Sequence, residues 1–574
     1  MALQVRKPSV EPVSFAPSQV WEGNDGPWST FAIRVGTPEQ IFRILVSTTS
    51  QETWVPVPEG CTSSDPTDCG ALRGVLAFQN QPSSGFQVNK VCLTFGRANR
   101  SINGSQSSTW IPENLYELGV GSNLNYTGNG EYGFDTVGLQ LPQSGGTTLK
   151  RQIVAGNAGI TCVGWIETDQ SSGIATKDFI LGEFGIGPKP TNFTSFQDPQ
   201  PSYMWSLKNQ SMIPSISWGY SAGARYQLKQ TAASLTLGGY DASRFVPNNV
   251  TFAFNQDDSR PLTVGVQAIQ AKNTLLGTVS LLPSGILALI DSTVPEIWLP
   301  ATACTIFESA FGLQYDPHTD RYLVNTTTHA SLTSLDPVLS FKLGNLAEGG
   351  EAVIISLPYK AFDLQASWPI YANATNYFPL RRAANDSQYT MGRTFLQEAY
   401  VIADYERSNF SVSQCLFQEN NPQRLVGILP PVTKGLHSSK LKKRILIVVI
   451  FAVVVGFLLA LSGLFVIFRI RRRRRLAATA VHDSLTREEQ EHCNLEADMT
   501  PEALLKTQVY GVPTVKPLEM SSAEARPEMM GTVRDMAHEL NTNERVSELP
   551  SMGSAPVELP ASPHDRWSWR RNDD

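Results

Sequence analysis

Two turns of this chain carry the side chains that are suited to acid–base chemistry. Asp291 lies in residues 287–300, which read LALIDSTVPEIWLP, and Ser47 has the matching place in residues 44–56, which read ILVSTTSQETWVP. A carboxylate can accept or donate a proton, whereas a serine hydroxyl has no accessible basic form near neutral pH. The two turns therefore supply one group for proton transfer, Asp291, and a hydroxyl in the corresponding place.

Each turn follows an apolar strand and leads into Trp and Pro, which predicts two related halves facing each other across a cleft. This pattern resembles the pepsin-like aspartic peptidases of the fungal, membrane-anchored type, whose two lobes each carry hydrophobic-hydrophobic-Asp-Thr/Ser-Gly. That family hydrolyses amides with a water held between two carboxylates that share one proton. The resemblance implies that Asp291 is the retained catalytic residue and that Ser47 replaces its partner. Without that partner, Asp291 is expected to titrate like an ordinary carboxyl.

Further segments resemble the same family in the same order, and together they predict a mainly β, bilobal pepsin-like fold over residues 28–418. They are a first hairpin with a Gly-Thr-Pro turn (28–46), a hairpin ending in Asp-Thr-Val (125–137), a hydrophobic-hydrophobic-Gly step (180–182), a hydrophobic-x-Gly step (390–392), SLTLGGYD (234–241) and FLQEAYVIAD (395–404).

The resemblance also implies which side chains line the cleft beside the two turns. Thr48 and Ser292 keep the hydroxyls that in the family lock the turns together. Thr49 and Thr293 stand where the family has glycine, and each adds a branched side chain beside the site. The sequence thus predicts a scaffold that is kept and a catalytic centre that is altered.

Two aromatic residues complete the predicted cleft. Trp54 keeps the family's Trp after the first turn, and Tyr126 has the place of the tyrosine on the flap hairpin that closes over the cleft. Glycines at 128, 130 and 133 also match a dinucleotide-binding pattern, but a strand follows them where that motif needs a helix. The hairpin interpretation is therefore preferred.

Composition narrows the function classes. The chain has 574 residues, and its net charge of −6 gives no reason to expect a nucleic-acid partner. His318 and His329 are the histidines before residue 430, and neither is spaced as a metal ligand or accompanied by a nucleophile motif. We expect solvated loop histidines, no metal and no cofactor.

A long apolar run predicts a membrane span. Residues 445–468 are apolar throughout, with four basic residues between 440 and 444 and six between 469 and 475. Twenty-four helical residues reach about 36 Å, enough to cross a hydrocarbon core of about 30 Å. The larger basic cluster after the run predicts that the C-terminal side is cytosolic and that the N-terminal domain is extracellular or lumenal.

Glycosylation sequons and cysteines support that orientation. Every Asn-x-Ser/Thr sequon precedes the apolar run, as do six of the seven cysteines. The predicted glycosylation sites are Asn99, Asn103, Asn125, Asn192, Asn209, Asn249, Asn325, Asn373, Asn385 and Asn409. The resemblance implies a disulfide between Cys61 and Cys69, while the pairs Cys304–Cys415 and Cys92–Cys162 are options that sequence alone does not fix. Cys493 is expected to be a free cytosolic thiol.

The N-terminus of the sequence shows no apolar signal peptide, and a missing or misassigned start is the preferred explanation. The sequence predicts six segments. They are a lead-in segment (1–27), an N-terminal lobe (28–255), a C-terminal lobe (256–418), a stalk (419–444), the transmembrane helix (445–468) and a disordered cytoplasmic tail (469–574). Glu-Leu repeats in the tail, such as those at residues 548–549 and 558–559, indicate either docking motifs for a cytosolic partner or compositional bias.

Three functions remain open. The first is a single-pass surface glycoprotein whose impaired ectodomain binds a peptide or wall component and signals through its tail. The second is a membrane-tethered aspartic endopeptidase with weak or unusual activity through Asp291. The third is a structural surface protein whose cleft is closed. All three place the chain against a lipid bilayer.

Overall fold

The computed structural model describes residues 10–61, 63–76, 107–118, 121–124, 126, 129–141, 147–157, 179–193, 195–431, 451 and 455–471. The chain divides into two compact units after Ser438. The described part of the first unit ends at residue 431, and the described part of the second is helical.

The first unit is built mainly of β-strands. Numbered along the chain, they are β1 (Val13–Phe15), β2 (Pro17–Glu22), β3 (Trp28–Val35), β4 (Gln40–Ser47), β5 (Thr53–Pro56), β6 (Val75–Leu76), β7 (Ile111–Glu117), β8 (Asn129–Leu139), β9 (Thr148–Asn157), β10 (Gly182–Gly185), β11 (Ser217–Ser221), β12 (Ser234–Leu237), β13 (Gly239–Asp241), β14 (Phe252–Ala253), β15 (Thr263–Thr274), β16 (Gly277–Ser280), β17 (Ile286–Ile290), β18 (Ile297–Pro300), β19 (Gln314–Asp316), β20 (Arg321–Leu323), β21 (Val338–Gly344), β22 (Ala352–Pro358), β23 (Leu364–Ala366), β24 (Thr375–Phe378), β25 (Leu380–Ala383), β26 (Thr390–Met391), β27 (Ala399–Asp404), β28 (Asn409–Gln414) and β29 (Leu425–Gly427).

The described helices of the first unit are short and lie between its strands. The α-helices are α1 (Cys69–Leu72), α2 (Tyr203–Asn209), α3 (Ala301–Phe311), α4 (Thr326–Leu335) and α5 (Arg393–Leu396), and single 3₁₀ turns occur at Pro58–Gly60, Ser122–Leu124, Tyr359–Ala361 and Asp386–Gln388.

The sheets form two lobes with a third sheet that joins them. One lobe contains the sheet β2-β3-β4-β10-β5-β9-β8-β7, and the other contains β22-β21-β15-β17-β26-β18-β25. Between them, the sheet β1-β12-β11-β27-β28-β14 takes strands from both halves of the sequence, with Trp218 of β11 opposite Ala403 of β27. The mainly β, bilobal pepsin-like fold is therefore confirmed. β1 and β2 lie within the predicted lead-in segment, and β29 lies within the predicted stalk.

Each turn is held by a short strand inserted beside it, and a glycine lies in that strand (Gly182) or directly after it (Gly392). β10 pairs in parallel with β4 and antiparallel with β5, and β26 does the same between β17 and β18. Close packing demands glycine here, because a Cβ on Gly182 would lie 2.4 Å from the Trp54 carbonyl oxygen, and one on Gly392 would lie 2.2 Å from that of Glu296. The insertion fixes Ser47 at the end of β4 and Asp291 just after β17.

One predicted disulfide is confirmed and another is wrong. Cys61 and Cys69 are bonded, whereas Cys304 and Cys415 are free, buried thiols. The Cys304 sulfur on α3 faces the backbone carbonyls of Leu299 and Arg381. Cys415 packs in a separate cluster with Phe245 and Tyr400, so the two sulfurs are buried in different parts of the core. Cys92, Cys162 and Cys493 lie outside the described residues.

The described sequon asparagines lie at the surface, as glycosylation would require. Asn409, on β28, is half-buried, and the others are exposed: Asn192, Asn209, Asn249, Asn325, Asn373 and Asn385. Asn99, Asn103 and Asn125 lie outside the described residues. Glycosylation itself stays a prediction.

The described part of the second unit covers only part of the predicted span. Residues 455–471 are helical, and residues 445–450 and 452–454 lie outside the described residues. Within the described ranges, no helix combines the length and the apolar character needed to cross a membrane.

We expect Gly392→Ala to destabilise the first unit because the new methyl group meets backbone carbonyls of Val294 and Glu296, which cannot rotate away. Overpacking of this kind costs about 1–3 kcal/mol. Urea unfolding followed by tryptophan fluorescence measures the loss. Thr302→Ala, on the exposed side of α3, is the matched control, and equal stability of the two variants would contradict this account of the inserted strand.

Candidate functional site

The two turns meet through pairs of hydroxyl groups. Ser47 Oγ lies 2.7 Å from Thr293 Oγ1, and the Thr49 hydroxyl donates to Asp291 Oδ1 at 2.9 Å. Thr49 Oγ1 and Thr293 Oγ1 are themselves 3.3 Å apart. Thr49 of the first turn thus bonds to Asp291 of the second turn, and Thr293 of the second turn lies within hydrogen-bonding distance of Ser47 of the first.

Backbone groups support the same arrangement on both sides. The Ser50 N–H donates to Ser47 Oγ at 2.9 Å, and the Thr293 N–H donates to Asp291 Oδ1 at 2.9 Å. Asp291 therefore accepts bonds from Thr49 and Thr293, and within the described part of the chain no second carboxylate bonds to it. The hydroxyl of Ser47 fills the corresponding acceptor position on the other turn.

A reciprocal pair of hydrogen bonds locks the turns together one residue further on. The Thr48 N–H donates to Ser292 Oγ at 3.0 Å, and the Ser292 N–H donates to Thr48 Oγ1 at 3.0 Å. The Ser292 hydroxyl then donates to the Val46 carbonyl at 2.6 Å. Both hydroxyl-bearing residues are fully buried, so these bonds are not weakened by competing water.

Burial changes the electrostatics of Asp291. Although this residue lines a cavity, only 4% of it is exposed. Burial raises the pKa of Asp291, while the bonds from Thr293 and Thr49 and the charge of Arg393 lower it in part. The expectation that Asp291 titrates like an ordinary carboxyl is therefore wrong, because its burial raises the pKa even without a second carboxylate beside it.

Arg393 connects the second turn to the N-terminal segment. Its guanidinium donates to the carbonyls of Ser292 at 3.0 Å and Thr293 at 2.7 Å. It also forms a buried ion pair with Asp25 at 3.0 Å and lies over the Trp28 ring at 5.0 Å. Arg393 is a positioning residue for the turn that carries Asp291.

Glu183 is a third buried carboxyl beneath the turns. It follows Gly182 on β10, and its Oε2 has no hydrogen-bond partner. Burial raises the pKa of Glu183 to about 8, with Asp291 and Asp25 adding to the rise and Arg393 opposing it. At neutral pH this carboxyl is therefore mostly protonated.

The hairpin β7–β8 extends its tip to the second lobe. Tyr126 is buried there, with its ring centroid 4.9 Å from that of Phe179 and 6.4 Å from that of Trp298. The Asn123 side chain donates to the Ser387 carbonyl at 2.9 Å. The predicted flap tyrosine thus closes one end of the cleft by packing against the opposite lobe.

Trp54 and Glu52 lie on the first-lobe side of the cleft. Trp54 is buried in an apolar cluster that includes Tyr132 and Phe134. The Glu52 carboxyl accepts bonds from Tyr132 Oη at 2.6 Å and Thr191 Oγ1 at 3.0 Å. Its two oxygens are engaged away from Asp291, and burial raises its pKa.

A cavity of about 260 Å³ opens in front of Asp291. Its wall contains residues of both turns and of both lobes: Thr49, Ser50, Gln51, Glu52, Leu118, Gly121, Asn123, Lys189, Asp258, Ser259, Arg260, Leu289 and Asp291. The Asp291 and Thr49 side chains thus face a space between the two lobes.

His318 and His329, the histidines among the described residues, are not part of the wall of this cavity. His318 is exposed, and His329, on α4 rather than in a loop, bonds to Asp363 at 2.8 Å. Among the described residues, no cluster of His, Cys, Asp and Glu side chains is arranged to hold a metal ion.

Comparison with known proteins finds similarity to aspartic proteases. The family model of the eukaryotic aspartyl protease matches residues 140–415. An acid protease of Saccharomycopsis fibuligera is 21% identical over 332 residues, which cover 55% of this chain and 77% of that protein. The crystal structure of an aspartic proteinase from Irpex lacteus is similar with a TM-score of 0.42 and 16% identity, covering 71% of this chain and 99% of that one.

Sequence reasoning missed Asp25, Glu183 and Arg393. Glu183 and Arg393 directly follow Gly182 and Gly392, the glycines that end the two predicted steps. A charged residue next to a step that predicts a buried strand was the available signal. Asp25 gave none, because its segment is polar and precedes the first recognisable motif.

We expect the stability of the first unit to fall as the pH rises from about 4.5 to about 8. Glu183 has a folded-state pKa raised above its usual value, so its contribution is complete below the unfolded pKa and is lost as the carboxyl ionises. Glu183→Gln should reduce this loss by a few kcal/mol at pH 8. Urea unfolding between pH 4 and pH 9 measures it.

The exposed Glu351→Gln is the matched control for that series and should keep the pH profile of the parent. A parallel pH dependence in the parent and in Glu183→Gln would show that Glu183 ionises normally in the folded protein.

Proposed function

Because the chain contains a eukaryotic aspartyl protease domain of the pepsin-like family, we propose that this domain is catalytically impaired and that its cleft binds peptides. The observation that carries the proposal is the hydroxyl pair Ser47–Thr293, 2.7 Å apart, in the place where the family chemistry needs the second carboxylate.

Hydrolysis by this route needs two proton-transfer roles at one time. One carboxyl must take a proton from the attacking water while the other donates a hydrogen bond to the substrate carbonyl. Asp291 can fill one role, and the Ser47 hydroxyl cannot fill the other, because it is too weak a base to take the proton of the water and too weak an acid to replace a protonated carboxyl. The Thr49 and Thr293 hydroxyls also approach to 3.3 Å, which narrows the place where that water would sit.

The parts needed to bind a peptide are retained. The cavity of about 260 Å³ joins both lobes, and Asp291, Thr49 and Asn123 supply polar groups along its wall. Ligand sites combine a pre-formed concave space with a few placed polar groups, and this cavity has both. Peptide capture without hydrolysis is the function that this combination supports best.

A second candidate is a weak endopeptidase that works through Asp291 alone. Asp291 still faces the cavity and keeps the Thr293 N–H on its Oδ1. Burial raises its pKa, so its protonated form persists to higher pH, where it could polarise a substrate carbonyl. The two candidates differ in whether an unmodified protein releases peptide products.

We expect no inhibitor-sensitive cleavage of unfolded casein by the full-length protein between pH 3 and pH 6, and none by Ser47→Asp. The added carboxylate would meet the Thr293 hydroxyl and lie beside Thr49. The triple variant Ser47→Asp, Thr49→Gly, Thr293→Gly should gain cleavage by at least a hundredfold over background, which new amino termini released from casein measure.

Asp291→Asn in the triple-variant background is the control, and it should abolish any gain. Cleavage by the unmodified protein that a transition-state-mimicking peptide inhibitor blocks would favour the second candidate. Full activity of Ser47→Asp alone would show that the two threonines do not obstruct the site.

We further propose that residues 445–468 anchor the chain in a membrane and that the sequon-bearing portion before them faces the lumen or the exterior. The apolar character of this run and the sequon asymmetry support this orientation. The full chain should stay in the membrane pellet after washing at pH 11, and peptide N-glycosidase should lower its apparent mass.

A chain lacking residues 445–468 should leave that pellet, while a chain ending after Arg475 should remain in it. Release of the full chain by the alkaline wash would contradict the anchor, and an unchanged mass after glycosidase treatment would contradict the orientation.

A further inference from the structure

We propose that Lys189 and Arg260 form a carboxylate-binding subsite in the cleft, which selects peptides that present an acidic side chain or a free C-terminus. This inference rests on the proposed peptide-binding function and specifies the ligand. Both cations line the same cavity as Asp291, and they belong to the two lobes on either side of it.

The charge of Arg260 is not neutralised by a direct ion pair. Its guanidinium donates to the backbone carbonyls of Asp386 at 3.3 Å and Tyr389 at 3.1 Å. Its Nε is buried without a hydrogen-bond partner. A half-buried guanidinium whose terminal nitrogens bond only neutral carbonyls retains capacity for an anion on the side that lines the cavity.

Lys189 is in a similar state. Its ammonium group bonds to the backbone carbonyl of Asp258, and partial burial lowers its pKa while the charges of Asp258 and Asp257 oppose that shift. Asp257, the nearby carboxylate on the same loop, is engaged by the N–H and hydroxyl of Ser259. A ligand carboxylate can therefore bond to the ammonium without displacing an existing ion pair.

Acidic pH lowers the negative charge of the wall. Glu52 and Asp291 both have raised pKa values, so they become neutral at a higher pH than ordinary carboxyls do, while Lys189 and Arg260 keep their charge. Asp258 also lines the wall, and the charges of Asp257 and Asp386 act on the two cations from nearby. A peptide carboxylate, still ionised above about pH 4, is therefore attracted by the two cations themselves rather than by a net positive cavity.

Selection from a random peptide library tests the subsite. The full-length chain, purified in detergent and immobilised through a C-terminal tag, is incubated at pH 5.5 with randomised hexapeptides, and retained peptides are sequenced by mass spectrometry. One library has free C-termini and the other has amidated C-termini. We expect acidic residues to be enriched about tenfold over their amide counterparts at one position, or the free-acid library to be retained about tenfold more.

Matched variants separate the subsite from general charge effects. Lys189→Met with Arg260→Met should remove the preference, whereas Arg225→Met with Lys229→Met, which makes the same charge change in an exposed loop, should keep it. Lys189→Glu with Arg260→Glu should turn the preference toward Lys and Arg. Thermal melts establish that each variant is folded before its selection is compared.

The outcomes distinguish the two proposals. Retention of peptides without any carboxylate preference, or a preference that survives in the folded Lys189→Met, Arg260→Met variant, overturns the subsite and leaves peptide binding intact. Retention of no peptide from either library overturns peptide binding itself and the subsite with it.

Discussion

The site depends on the reciprocal hydrogen bonds between Thr48 and Ser292. These bonds hold the backbones of two turns from different lobes at a fixed separation, and everything chemical at the site is one residue away from them. Because both side chains are fully buried, loss of either would leave a buried N–H without a partner, which costs about 1–3 kcal/mol. This constraint explains how the geometry of the turns can persist while the groups beside it change.

The polar side chains at the site are partners for one another. The Thr293 hydroxyl lies 2.7 Å from the buried Ser47 hydroxyl, so Ser47 has a hydrogen-bond partner. The Thr49 hydroxyl donates to Asp291 Oδ1. These hydrogen bonds link three hydroxyls and one carboxyl and stabilise the two folded turns. Within the described residues the set contains one carboxyl, so it lacks the like-charge pair that splits the pKa values of two neighbouring acids.

The fold could be predicted because short motifs encode close packing. The two predicted steps that end in Gly182 and Gly392 mark places where a Cβ cannot fit, and the structure has inserted strands at both. The titration of Asp291 could not be predicted, because burial arises from both lobes and no local pattern records it. The predicted Cys304–Cys415 disulfide was wrong for a related reason. Each thiol is buried in its own cluster, and each cluster is formed by residues that are distant in sequence.

The size of the cleft limits what kind of recognition it can use. At about 260 Å³, the cavity lies just below the range of about 300–1,000 Å³ that is typical of ligand sites. The hairpin tip reduces access further, because Tyr126 is already packed against Trp298 of the opposite lobe. A ligand here buries little apolar surface, so its affinity must come from a few strong polar contacts rather than from area. Lys189 and Arg260 are suited to that role, since charge-assisted hydrogen bonds in a partly desolvated cavity are stronger than those made in water.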